Sequence, residues 1–382
     1  MNQVVSLPFE GVHGQFLRIA ESRADTPLAL AVYVDGELVL DVWAGPDDPG
    51  TTLRPVFSST KGIGGAIVGM LVQRNLLSLD EKVATYWPEF AAAGKSELDV
   101  RTLLSHQAGL VGVDGGFAIA DVLEHEALAQ RLADQTPYWV PGTQHGYHAL
   151  TIGVLIRELL SRVDGRTPKQ FYEDEIRAGS GFDFTIGCPR SERARLRPQR
   201  MAFEPSDLVP PPAPGSLLEL AFGRGLPNVA AAPDPAVLDG DMMSAGGFGN
   251  ARGLAAFYAT IATGLSDRPP LLDRETIDAV RTELATGTDA VLPVPTAFGV
   301  VFQVPGPIID MAGPGSFGHD GAAGSLGFAN PDLGLAFGWV NGTSIGMGAD
   351  PDGLTLAHEI GQLLRGEQGG ERDARALAEE SS

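Results

Sequence analysis

Two blocks of strand-like sequence lie at opposite ends of this chain, with a long stretch of helical periodicity between them. That order limits the fold more than any other feature. Near the start, LALAVYVDGELVLDVWAG (residues 28–45) reads as two strands joined at Asp35-Gly36, a pair suited to the positive φ angles of a two-residue hairpin turn. Near the end, TAFGVVFQV (296–304), GSLGFANP (324–331) and LGLAFGWVN (333–341) are strand-like again. Residues 79–180 between them are mostly helical in pattern. The economical architecture is α+β: one sheet built from both chain ends, flanked by helices and carrying a helical insertion. The expected division is residues 1–62 with 241–382 as a discontinuous sheet domain, and residues 63–240 as a mainly helical one. A cleft between such halves is a natural place for a site.

Helices are expected over residues 10–23, with Val12, Phe16, Leu17 and Ile19 on the apolar spacing, from about residue 59, over ARGLAAFYATIATG (251–264), and over LTLAHEIGQLLRG (354–366). In the second, Gly62, Gly64 and Gly65 lower helix propensity and are read as permitting close packing. Residues 189–240, rich in Arg and then Pro, lack periodicity and are expected to run irregularly over the surface. The polar tail after residue 366 is expected to fray.

The chain has 382 residues, 43% hydrophobic and 20% charged, which is the composition of a globular protein. Its 27 basic residues stand against 48 acidic ones, a formal charge of −21. Such a surface repels phosphate backbones and anionic lipid heads, so neither nucleic acid nor a membrane surface is an expected partner. No signal-peptide pattern and no apolar run of membrane length is present, and the expected location is cytoplasmic. The lone cysteine, Cys188, excludes an internal disulfide and is expected to pack as a small hydrophobe.

Gly342-Thr343-Ser344-Ile345-Gly346 spells the G-x-S-x-G of a nucleophile elbow. That device needs a helix directly after the serine, and IGMGADPDG is turn-rich instead. Ser344 is therefore placed in a loop after a core strand. The better nucleophile is Ser58, in Ser58-Ser59-Thr60-Lys61, the only S-x-x-K among four lysines. On a helix, positions i and i+3 share a face, so the amine can approach the hydroxyl. Burial makes a lysine amine neutral and able to take the serine proton, and GIGGAIVGML after Lys61 offers an apolar setting without a nearby carboxylate. The helix N-terminus adds partial positive charge beneath the serine.

Tyr147, in WVPGTQHGYHALTIG (139–153), lies just ahead of an amphipathic helix, where a hydroxyl near a lysine could shuttle protons. His319-Asp320-Gly321 lies where one strand is expected to begin, and Gly321 would let a ligand approach the backbone. His145 and His148 do not make a metal site without a carboxylate cluster, His106 is read as structural, and residues 62–65 lack the ending of a phosphate loop.

S-x-x-K, the Tyr147 segment and H-x-G, in this order and with LLSHQAGL (103–110), together resemble the serine β-lactamase and penicillin-binding-protein superfamily, and within it the family VIII carboxylesterases. The likeness spans about residues 10–365. It implies a mainly antiparallel sheet flanked by helices plus an all-helical region, with the serine at their junction. It implies Ser58 as the acylated nucleophile, Lys61 and Tyr147 sharing acid–base work, and an oxyanion hole of the Ser58 and Ala322 N–H groups, with no cofactor. Two departures matter: Tyr147-His148-Ala149 lacks the Asn of class C β-lactamases, and His319 replaces the Lys that meets a substrate carboxylate. An uncharged small ester is thus the expected substrate, bound near His319 and Gly321 and against aromatic residues such as Trp139, Phe117 or Phe317. The alternatives are a β-lactamase, D-amino-acid peptidase or acyltransferase on the same apparatus, or a non-catalytic ligand-binding relative.

Overall fold

The computed structural model describes residues 2–46, 49–202, 212–223, 234–266, 268–346 and 348–380, with side chains through residue 366. Part of the stretch expected to be irregular, including the first half of its Pro-rich segment, lies outside the described residues.

The strands from the two chain ends form one six-stranded antiparallel sheet in the order Val4–Val5, Glu37–Ala44, Leu28–Val34, Leu335–Asn341, Leu326–Asn330, Phe317–Asp320. The ends meet where Leu28–Val34 pairs with Leu335–Asn341, Val32 opposite Phe337. Asp35 and Gly36 turn the first hairpin with φ of 48° and 81°, the primed geometry whose twist matches the flanking strands. Both faces of the sheet are covered, which is why its central strands read as near-continuous apolar runs. Leu30, Val32, Phe337 and Trp339 pack under helices Glu10–Ser22 and Pro351–Glu380. The alternate residues Ala31, Tyr33 and Ala336 face helix Ala251–Tyr258 and the larger core. Small side chains on that second face let the helix approach: a Cβ on Gly338 would sit 2.1 Å from the Ala251 carbonyl oxygen.

Helix Lys61–Gln73 is buried from Lys61 through Leu71. Its glycines do permit close packing, since a Cβ on Gly62 would meet the Tyr258 hydroxyl and one on Gly65 the Phe302 ring, each at 2.4 Å. The region 79–180 is helical in short pieces, the longest being Thr151–Val163.

Several segments depart from their sequence pattern. Leu17 is 43% exposed, because it lies off the Val12–Phe16–Ile19 stripe. Of the segment 296–304 only residues 296–298 lie in a strand, Pro295–Phe298, which pairs with Ala285–Thr288, while Gln303 makes a single bridge to Gly318 on the edge of the main sheet. The chain then folds back on itself, with Val301 at φ 66° and the Gly299 N–H bonded to the Phe302 carbonyl. His319 and Asp320 end a strand rather than begin one. The last helix runs through the polar tail to Glu380.

Candidate active site

Strand Arg54–Phe57 ends on Phe57, whose φ of 46° and ψ of −125° are strained for a residue with a Cβ. A 3₁₀ turn over Ser58–Thr60 follows and runs into helix Lys61–Gln73, so Ser58 sits at the N-terminal end of a buried helix. The strained corner is pinned from three sides. The Thr60 hydroxyl donates to the Phe57 carbonyl and accepts the Gly247 N–H at 2.8 Å. Ser59 Oγ meets the His319 carbonyl at 3.2 Å and Ser325 Oγ at 2.9 Å.

Lys61 Nζ lies 3.0 Å from Ser58 Oγ and donates to the Ser244 carbonyl at 2.7 Å. Its side chain is 1% exposed, and burial pulls its pKa from 10.5 down to about 7, against an opposing pull from Asp320. The absence of a nearby carboxylate, expected from the local sequence, is thus corrected: Asp320 arrives from 259 positions away. Burial raises the Asp320 pKa, but His319, Gln303 and the Ala349 N–H outweigh it and hold the carboxyl below its ordinary range.

Tyr147 Oη donates to Ser58 Oγ at 2.8 Å, and the Lys61 amine lies 4.9 Å over its ring. Burial drives the phenol pKa far up, so the group stays protonated. Asp289 positions this tyrosine, accepting the Tyr147 N–H at 3.1 Å together with those of Val291 and Leu292. The ring stacks on Phe298 at 6.0 Å with an interplanar angle of 8°, and Phe222 lies 6.4 Å away. Ser244, Asp289, Phe222 and Phe298 carry no motif in the sequence. Only the folded chain brings them to the serine.

His319 is fully buried beside this group, its ring 5.9 Å from that of Tyr147. Its Nδ1 is 2.8 Å from the Asp320 carbonyl oxygen, and burial lowers its pKa, which keeps the ring neutral near pH 7. At Gly321 a Cβ would lie 2.2 Å from Ser325 Oγ and 2.3 Å from the Val56 carbonyl oxygen, so the glycine lets two strand ends meet. Trp139 belongs to the apolar cluster around Tyr147, with Val111, Val291 and Phe298 and the half-buried Leu217, Leu218 and Phe222. Phe117 and Phe317 do not join it: both are interior residues of the main core, Phe317 packed edge-on against Phe302.

The other candidates have local employment. His148 donates from Nδ1 to the Gly146 carbonyl at 2.7 Å and accepts the Leu110 N–H on Nε2 at 3.0 Å. Burial holds its pKa near 4. His106 accepts the His148 N–H on Nδ1, and His145 Nε2 meets Thr296 Oγ1. Ser344 Oγ donates to the Gly346 carbonyl, and the next helix begins only at Pro351. Cys188 packs with Leu53 and Phe248, and burial pushes its thiol pKa up.

A serine at a helix N-terminus, bracketed by a buried lysine and a buried tyrosine beside the edge strand of an antiparallel sheet, defines a protein of the serine β-lactamase type. Residues 19–360 match the β-lactamase family, and the chain belongs to it. Within the family it is similar to EstA from Arthrobacter nitroguajacolicus, with 38% identity over 96% of this chain and 99% of that one, at a TM-score of 0.87. It is similar also to a family VIII carboxylesterase of known structure, at 30% identity, 95% and 99% coverage and a TM-score of 0.82. The esterase/β-lactamase LipL of Mycobacterium tuberculosis is 33% identical over 339 residues, 82% of this chain and 76% of LipL. No helix among the described residues is long and apolar enough to cross a membrane.

Proposed function

We propose that the chain is a serine carboxylesterase that cleaves small uncharged esters through an acyl-enzyme on Ser58. The observation that carries this reading is the double contact on one hydroxyl, 3.0 Å to Lys61 Nζ and 2.8 Å to Tyr147 Oη. The division of labour follows from the two pKa directions. Lys61, near 7, supplies a neutral amine that accepts the Ser58 proton as Oγ attacks the ester carbonyl. Tyr147, held as a phenol, passes a proton to the departing alcohol oxygen and is reprotonated from Lys61. Water then attacks the acyl carbonyl by the reverse relay, returning Ser58 and releasing the acid. The Ser58 and Ala322 N–H groups receive the carbonyl oxygen; neither is bonded to another backbone carbonyl among the described residues. Two such donors contribute a few kcal/mol, roughly 3–4 each when removed singly.

His319 and Asp320 bear on the charge of the substrate. A neutral ring beside a buried carboxylate offers no cation to an anionic substrate. The half-buried apolar residues around Tyr147 offer an ester contact area instead. The names borne by the similar proteins, a carboxylesterase and an esterase/β-lactamase, agree with acyl transfer from an ester.

The test is a comparison of p-nitrophenyl butyrate with a chromogenic cephalosporin. Ester turnover exceeding lactam turnover by orders of magnitude in kcat/KM is expected, and equal or faster lactam hydrolysis contradicts the assignment. A cytoplasmic location belongs to the same proposal: activity is expected in the soluble lysate, and recovery mainly from medium or membrane pellet overturns it.

A further inference from the structure

The turn Gly321–Gly324 joins strands Phe317–Asp320 and Leu326–Asn330 and carries Ala322. Its shape is set by Gly324. The Gly324 N–H donates to the Gly321 carbonyl at 2.9 Å, and in a trans peptide the carbonyl and the following N–H point opposite ways. Fixing the Gly321 carbonyl toward Gly324 therefore aims the Ala322 N–H to the other side. What holds Gly324 in place is a set of buried polar side chains far from the serine in sequence. The Gly324 carbonyl accepts the Asp350 N–H at 3.3 Å, and the Asn341 amide lies so close to Gly324 that a Cβ there would be 2.3 Å from Nδ2. Asn341 Nδ2 donates to Asp350 Oδ2 at 2.5 Å. Gln199 Nε2 bridges the set, donating to Asn341 Oδ1 at 2.8 Å and to the Ala323 carbonyl at 3.2 Å. Arg23 closes it from outside, donating to Asp350 at 2.8 Å. Gln199, Asn341 and Asp350 are each 2% exposed, so the geometry is not loosened by solvent.

We infer that Asn341, with Gln199 and Asp350, is a positioning group for the oxyanion hole, holding the Ala322 N–H in line through Gly324. This rests on the reading of Ser58 and Ala322 given above. The arrangement assigns a purpose to three buried polar residues that touch neither the serine nor its relay. Hydrogen bonds link Gln199, Asn341 and Asp350 to one another and to the turn, which holds it rigid, and a donor displaced by a fraction of an ångström no longer meets a developing oxyanion.

The test is Asn341→Leu, similar in shape but unable to hydrogen bond, measured per active site titrated with a p-nitrophenyl phosphonate. The expected result is a kcat lower by roughly 10–100-fold with KM within about threefold, and an acid limb of the pH profile that does not move, because Lys61 and Tyr147 are untouched. Thermal unfolding of the same sample separates this from simple loss of folded protein, which lowers the titrated sites but not the turnover of each. Turnover per site within about twofold of the parent overturns the inference. If Asn341→Leu does not fold, Gln199→Met leaves the Asn341–Asp350 bond in place and is expected to lose roughly 3–10-fold in kcat, with unchanged turnover again the contrary result. Failure of the parent itself to form a Ser58 adduct overturns both the underlying reading and this one, whereas a normal parent adduct with a fully active Asn341→Leu overturns the network alone.

Discussion

Replacing Lys61 by Met is expected to abolish ester hydrolysis and stabilise the fold at the same time. The amine is 1% exposed and its pKa falls from 10.5 to about 7, chiefly through burial. Between those values the unfolded chain holds a proton that the folded chain has released, so stability rises with pH across that window. The penalty is complete below pH 7 and gone above about 10.5. At roughly 1.4 kcal/mol per pH unit it amounts to about 5 kcal/mol. Met removes it but leaves the Ser244 carbonyl without its 2.7 Å donor, a loss of roughly 1–3 kcal/mol. The net gain at pH 6 is therefore about 2–4 kcal/mol, shrinking to nothing or reversing by pH 10. Denaturant unfolding of parent and variant at pH 6, 8 and 10 measures it. Parallel pH dependence in the two proteins, or a variant less stable than the parent at pH 6, excludes a buried Lys61 amine as the source of the penalty.

Other consequences follow from the same residues. The rate constant kcat/KM should rise tenfold per pH unit below about pH 7, as the Lys61 amine loses its proton, and then level off. Asp320→Asn removes the charge that opposes this, so the limb should move to lower pH; a limb that stays in place, read from the full pH–rate profile, detaches Asp320 from Lys61. Tyr147→Phe keeps the stack on Phe298 but loses the hydroxyl at 2.8 Å, and kcat should drop by roughly 10²–10⁴ with little change in melting temperature. Retention of a third or more of the parent kcat excludes Tyr147 from the proton path.

What was legible in the sequence was local or periodic. The Asp35-Gly36 hairpin, the amphipathic first helix and the S-x-x-K turn each depend on neighbours within a few positions, and each is found where expected. Pairing of the two chain ends was legible because an apolar strand needs partners and both ends supplied them. Segment 296–304 misled because buried aromatic and β-branched residues look like a strand whether or not the backbone is extended. The site's supporting residues were illegible for a different reason. Asp320, Ser244 and Asp289 act over separations of 142 to 259 positions, through one carbonyl or one carboxylate, and no spacing rule reports such contacts. The aromatic guesses show the same limit, since Trp139 joins the Tyr147 cluster while Phe117 and Phe317 fill the core.

A single hydroxyl, that of Ser58, is expected to become acylated. Intact-mass measurement after mixing with a slowly deacylating p-nitrophenyl ester tests this on the parent, Ser58→Ala and Ser344→Ala. One acyl mass is expected on the parent and on Ser344→Ala, mapping to the peptide that holds Ser58, and none on Ser58→Ala. An adduct that survives Ser58→Ala and vanishes in Ser344→Ala would contradict the assignment of Ser58.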